Sequence, residues 1–246
     1  MLHFDRVGAG PPVVLLHGRM RSSADWRRYG YVDGLADAFE VITIDVRGHG
    51  RSPLSVAPAD YSLAVMEADV LDVLDACGHE RAAVFGYSMG GRIGFGLAAH
   101  HPTRVTALVT GGAGPYGPPE GREAELWLAA TFDRGIGAYV DGLVELLGGS
   151  VSARYRAELE ANDAPSMAAL SRGNAEWTDV RPAPEVPLLM FSGTADPQWS
   201  RIAAAAGELG AELHGFDGLG HMADLARTEL VLPVVRRFLQ LHAGGA

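Results

Sequence analysis

The sequence of 246 residues predicts an α/β fold with a mostly parallel central sheet flanked by helices. Three observations carry that prediction. Short runs that are apolar throughout or broken by a single threonine, Val13–Leu16, Val41–Ile44, Ala82–Phe85 and Val105–Val109, suit strands buried on both faces. Between them lie segments with helical spacing, Leu63–Ala76 and Met89–His100. Strands alternating with helices imply right-handed crossovers, and these place helices on both faces of a parallel sheet.

Taken in order, Leu2–Val7 reads as a short edge strand and Gly8–Pro12 as a turn. Val13–Leu16 ends at His17 and Gly18, and Val41–Ile44 is closed by the run from Asp45 to Ser52. Ser62 fits an N-cap for the helix over 63–76, and Gly78 fits its stop. Pro102 terminates the helix over 89–100, in which Gly94 and Gly96 would allow a close approach to the sheet. From about Gly111 to Glu185 the rhythm changes. No buried strand appears there, and Glu123–Phe132, Ala138–Leu147, Ala153–Ala161 and Ser166–Asn174 read as short amphipathic helices of an inserted helical cap, about 114–185. Strand chemistry returns at Val186–Phe191 and at Glu212–Phe216. The last helix, Ala223–Leu241, carries Pro233 within its pattern, which predicts a kink or a break. No internal repeat, low-complexity tract or linker divides the chain, so 1–246 reads as one domain.

Composition narrows the functional classes. A hydrophobic content of 48% supplies ample core, while a net charge of -10 argues against nucleic acid or an anionic membrane as partner. All 20 basic residues are arginine, which removes Schiff-base chemistry on lysine. The single cysteine, Cys77, excludes an internal disulfide and any paired-cysteine motif, and packing is its expected role. Residues 1–10 lack a basic start followed by an apolar core, and no stretch is long enough to span a bilayer. The expectation is a cytoplasmic monomer or homodimer acting on a small molecule.

One stretch organises the rest: Gly86, Tyr87, Ser88, Met89, Gly90, a GxSxG nucleophile elbow between the run Ala82–Phe85 and a helix. The turn from strand to helix is so tight that side chains two before and two after the serine would collide, so both positions need glycine. The turn lifts the Ser88 hydroxyl above the strand ends, and the following amides lie at a helix N-terminus that favours negative charge. An ordinary glycine-rich turn uses the same letters.

With strand, elbow, insertion, strand and late histidine in that order, the chain resembles the α/β-hydrolase superfamily, particularly its small capped serine esterase-like members, over nearly its whole length. The resemblance implies a cap inserted after the sixth strand of the family's count, and a chain order of nucleophile, acid, histidine. Asp196, in the turn after Leu188–Phe191, matches the acid by position. Of the histidines after it, His214 falls within a strand run and His242 at the C-terminal end, which leaves His221 in the loop before the last helix. In the implied mechanism His221 takes the proton of Ser88 and returns it to the leaving group, while Asp196 fixes its tautomer. The family's oxyanion donors match the backbone amides of Met89 and Arg19. The Arg19 side chain is either solvated or a holder of a substrate carboxylate. His17 and the run Asp45–Ser52 match motifs that are mainly structural, and His49 is not read as a ligand.

Arg92 lies four residues after Ser88, on a similar helix face. The run from Gly86 to Arg92 is similar to that of the menaquinone-pathway synthases of this superfamily, which have arginines for carboxylates. Substrate anion binding and a salt bridge to a neighbouring helix both fit. The aromatics Trp127, Phe132, Tyr139, Tyr155, Trp177 and Trp199 line an apolar pocket or fill the core. No metal or organic cofactor is implied, since HExxH, paired cysteines and a strand-flanked GxGxxG are all missing. The serine excludes the aspartyl-nucleophile chemistry of dehalogenases and epoxide hydrolases. The expected activity is hydrolysis of a carboxylic ester, thioester or lactone through an acyl-enzyme on Ser88. The alternatives are a menaquinone-type lyase, a carbon–carbon bond hydrolase, a perhydrolase, or a ligand receptor with little turnover.

Overall fold

The computed structural model describes residues 1–117, 120–146, 151–221 and 223–244. Among them the strands are β1 (Phe4–Val7), β2 (Pro12–Leu16), β3 (Glu40–Ile44), β4 (Ala82–Tyr87), β5 (Val105–Gly111), β6 (Leu188–Gly193) and β7 (Glu212–Phe216). They form one seven-stranded sheet in the order β1-β3-β2-β4-β5-β6-β7. Only the edge strand β1 pairs antiparallel, with Phe4 opposite Ile44, and every other pairing is parallel. The continuous apolar runs are buried as their composition requires. Successive side chains of a strand point to opposite faces, so each run feeds two cores. Val14, Leu16, Val84 and Leu108 pack on one side, and Val13, Leu15, Phe85 and Val109 on the other.

The first core is covered by α3 (Leu63–Cys77) and α4 (Met89–His100). Ser62 caps α3, its Oγ accepting the Val65 N–H at 3.4 Å, and Gly78 ends it at φ +80°. Where α4 crosses the sheet, a Cβ on Gly94 would stand 2.7 Å from Leu108 Cδ1. Gly96 differs from expectation: it faces α3, where Glu67 fills the space a side chain would need. The second core is covered by α1 (Ala24–Arg28), α2 (Tyr31–Leu35) and α11 (Thr228–His242). The helix α9 (Trp199–Leu209) connects β6 to β7 along the chain.

Four helices, α5 (Gly121–Phe132), α6 (Ile136–Leu146), α7 (Ala153–Glu160) and α8 (Ala164–Asn174), lie between β5 and β6. This is the expected insertion, although it follows the fifth strand of this chain, because one strand fewer precedes it than the family's count assumes. Leu147, the expected end of α6, lies outside the described residues. The expected last helix is two pieces, α10 (Ala223–Ala226) and α11, interrupted at Arg227 (φ -92°, ψ 59°). Pro233, where the sequence predicts a kink or a break, sits inside α11, so the helix is not broken there. It removes one hydrogen bond, and the burial of Val231, Val235, Phe238 and Leu239 on the same helix offsets that loss. Among the described residues no helix is long and apolar enough to cross a membrane.

Candidate active site

Ser88 links β4 to α4 with φ +53° and ψ -113°, a conformation that costs an L-residue on the order of 1–3 kcal/mol. The strain persists because the surroundings over-determine it. The Ser88 N–H donates to the Gly111 carbonyl at 2.8 Å. A Cβ on Gly86 would run into the Gly90 carbonyl, and one on Gly90 into the Leu16 carbonyl. The clash at Gly86 falls within the elbow, as inferred from the motif, whereas the clash at Gly90 is with the end of β2 and not with position 86.

The turn after β6 and the loop after β7 deliver two further side chains to Ser88. His221 Nε2 lies 3.1 Å from Ser88 Oγ, and His221 Nδ1 lies 2.7 Å from Asp196 Oδ2. Asp196 is buried and also accepts from Ser192 Oγ at 3.0 Å and from the Gln198 N–H at 2.8 Å. Burial alone would raise its pKa, but the hydrogen bonds from His221, Gln198 and Ser192 outweigh it and hold the carboxyl below its ordinary value. An ionised Asp196 accepts only, so Nδ1 carries the imidazole proton and Nε2 presents a lone pair to the Ser88 hydroxyl.

Two residues that sequence reasoning missed hold His221. Tyr87 donates its hydroxyl to the His221 carbonyl, and Gly112, at φ +58°, leaves space for the ring. An aromatic residue beside the elbow serine and a glycine just past β5 were the available signals.

The loop from His17 to Arg21 runs beside the serine. A Cβ on Gly18 would stand 3.4 Å from Ser88 Cβ. Two buried imidazoles peg the loop. His17 donates from Nδ1 to the Gly18 carbonyl at 2.8 Å and accepts the Val46 N–H at 3.0 Å. His49 accepts the Met20 N–H at 3.1 Å and donates to the Arg47 carbonyl at 3.1 Å. Burial pushes His17 down to about 4; burial, joined by the neighbouring His17, pushes His49 down to about 3. Both are neutral struts. Asp45 accepts the N–H groups of Ser23 and Arg51 at 2.8 and 3.0 Å.

Ser88, Met89, Arg19, Arg92 and His221 all line one cavity of about 1180 Å³. The insertion contributes Glu125, Tyr139 and Asn174 to its wall. The Arg19 side chain pairs with an acid of the insertion: its Nη2 donates to both oxygens of Glu125, at 2.5 and 2.7 Å. Arg92 donates to the Thr178 carbonyl at 3.0 Å, so its acceptor is the returning stem of the insertion, not an acid on a neighbouring helix. Burial lowers its pKa. Of the aromatics, Tyr139 and Trp177 line the cavity, Phe132 is in the core and Trp127 is 63% exposed. Tyr155 lies against Arg21, and Trp199 heads α9.

Over 111 residues, 45% of this chain and 41% of the relative, the sequence is 36% identical to pimeloyl-[acyl-carrier protein] methyl ester esterase from Aeromonas hydrophila. The aligned part spans under half of that esterase's length. Among solved structures, the enol-lactonase from Burkholderia xenovorans is similar with a TM-score of 0.79 at 27% identity, covering 97% of this chain and 96% of that one. MenH from S. aureus shares the fold, with a TM-score of 0.83 at 21% identity over 98% and 99% of the two chains. Residues 11–199 match the alpha/beta hydrolase fold family, and the chain belongs to it.

Proposed function

We propose that this α/β hydrolase cleaves a carboxylic ester, thioester or lactone of a small molecule through an acyl-enzyme on Ser88. The observation that carries the reading is the relay Ser88 Oγ, His221, Asp196 Oδ2, with separations of 3.1 and 2.7 Å. As Ser88 Oγ attacks the carbonyl carbon, His221 Nε2 takes its proton, and the imidazolium so formed is stabilised by ionised Asp196. Collapse of the tetrahedral species expels the leaving group, which receives that proton. Water then attacks the acyl carbon by the same route and frees Ser88.

The developing oxyanion is assigned to the amides of Met89, at the N-terminus of α4, and of Arg19, in the loop beside Ser88. Helices α5 to α8 act as the cap that screens the cavity from bulk water. Arg92 is a candidate holder of a substrate anion at the cavity wall. The esterase and the enol-lactonase described above are consistent with acyl chemistry on this scaffold; they do not fix the substrate.

The test compares p-nitrophenyl ester turnover by the wild-type protein and by Ser88→Ala. Loss of about 10³-fold or more in kcat with unchanged folding supports the reading. Turnover that survives the substitution removes Ser88 as nucleophile. A wild type that binds esters without cleaving them points to the receptor alternative.

A further inference from the structure

We infer that Glu125, on helix α5 of the insertion, is a positioning residue for the reaction: through Arg19 it orients the peptide that carries the second oxyanion donor. The inference rests on the serine hydrolase reading above.

The loop that carries that peptide is suspended between core and insertion. On the core side, neutral His17 and His49 hold the carbonyl of Gly18 and the N–H of Met20, the two residues that flank Arg19. On the other side three consecutive residues are each gripped by the insertion. Arg19 is bound by Glu125 at 2.5 and 2.7 Å. The Met20 carbonyl accepts from Asn162 Nδ2, in the turn between α7 and α8, at 3.3 Å. The Arg21 guanidinium lies 5.4 Å from the Tyr155 ring centre, on α7.

Met20 has φ +63°, a conformation that a non-glycine residue keeps only when its neighbours enforce it. Of the three grips, only the first is an ion pair, and only it acts on the residue whose amide is the donor. The Arg19 and Glu125 side chains are 18% and 23% exposed, so water screens the pair less than it would a surface pair. Asn174, with its amide turned to satisfy both of its groups, accepts from the same Arg19 nitrogen at 2.9 Å. Neutralising Glu125 leaves a largely buried guanidinium without its counter-charge, and because that guanidinium is the Arg19 side chain, the response passes directly to the Arg19 backbone.

The variants Glu125→Gln, Arg19→Gln and the double substitution keep the Arg19-position amide, so they test its placement and not its existence. With p-nitrophenyl acetate, each single variant is expected to lower kcat about tenfold with KM within about twofold, because a misplaced donor weakens the transition state more than the ground state. The double variant is expected to be no slower than either single one. A boronic acid that forms a tetrahedral adduct on serine should bind each variant about tenfold more weakly, a measurement that needs only folded protein. Singles that match the wild type in kcat, singles whose losses multiply in the double, or losses confined to KM each overturn the inference and leave the serine reading intact. A wild type that neither turns over esters nor reacts with a serine-directed phosphonate overturns both.

Discussion

Gly112 stands directly against the ring of His221: a Cβ built on it would lie 2.9 Å from His221 Cε1 and 3.1 Å from the hydroxyl of Tyr87. That hydroxyl in turn donates to the His221 carbonyl, so one small residue at the end of β5 leaves room for both ring and main chain. Gly112→Ala is expected to displace the imidazole. A shift approaching 1 Å costs up to about 10²-fold in kcat, and the φ of +58° adds about 1–2 kcal/mol of destabilisation. Kinetics and a melting curve on the same preparation check this; unchanged kcat would mean that the ring does not depend on this space.

Asp196→Asn retains the shape of the turn and removes the acceptor that keeps the proton on His221 Nδ1. The expected result at neutral pH is a fall in kcat of about 10⁴-fold, with Tm changed by only a few degrees. A loss of less than about tenfold would show that another group holds the tautomer.

Stability should fall on mild acidification. His17 and His49 are held neutral, at about 4 and about 3 instead of 6.5, so between those values and 6.5 the unfolded chain binds more protons than the folded one. Stability therefore rises with pH through that window and is lost as pH drops from about 6.5 toward 4. For His17 alone the shift corresponds to about 3 kcal/mol. Asp45 and Asp196, both lowered, extend the same sign below 3.8. Melting at about pH 7 and about pH 4.5 should differ by about 10 °C or more, whereas a flat profile would contradict the buried-strut assignment.

Arg92 is engaged by the Thr178 carbonyl, which ties the nucleophile helix to the returning stem of the insertion. It also lines the cavity with its Nε buried and unpartnered, so Arg92→Ala is expected to reduce kcat/KM several-fold more for an ester that bears a carboxylate than for a matched neutral ester. Equal losses for the two would instead confine Arg92 to holding the stem.

What could be read from the sequence was what local sterics dictate. The elbow is one case, since a side chain on Gly86 would meet the Gly90 carbonyl within a single turn. Asp196 and His221 were legible through the family resemblance, which supplies the order nucleophile, acid, histidine and the turn that the acid occupies. The helices α1 and α2 were not, because five residues each, with Tyr31 and Trp26 buried by distant partners, carry too little periodicity. Propensity predicts a kink or a break at Pro233, while burial of the α11 face carries the helix through that position and the break falls at Arg227. The partner of Arg19 was invisible for another reason: Glu125 lies 106 positions away, on a helix whose docking only the folded chain defines.

The most direct test of the central claim is to treat the protein with a serine-directed phosphonate and map the adduct by peptide mass, comparing the wild type with Ser88→Ala and His221→Ala. One adduct is expected, on Ser88, formed rapidly in the wild type, slowly without His221 and not at all in Ser88→Ala. Labelling at another residue, or labelling of Ser88 at the same rate without His221, would contradict it.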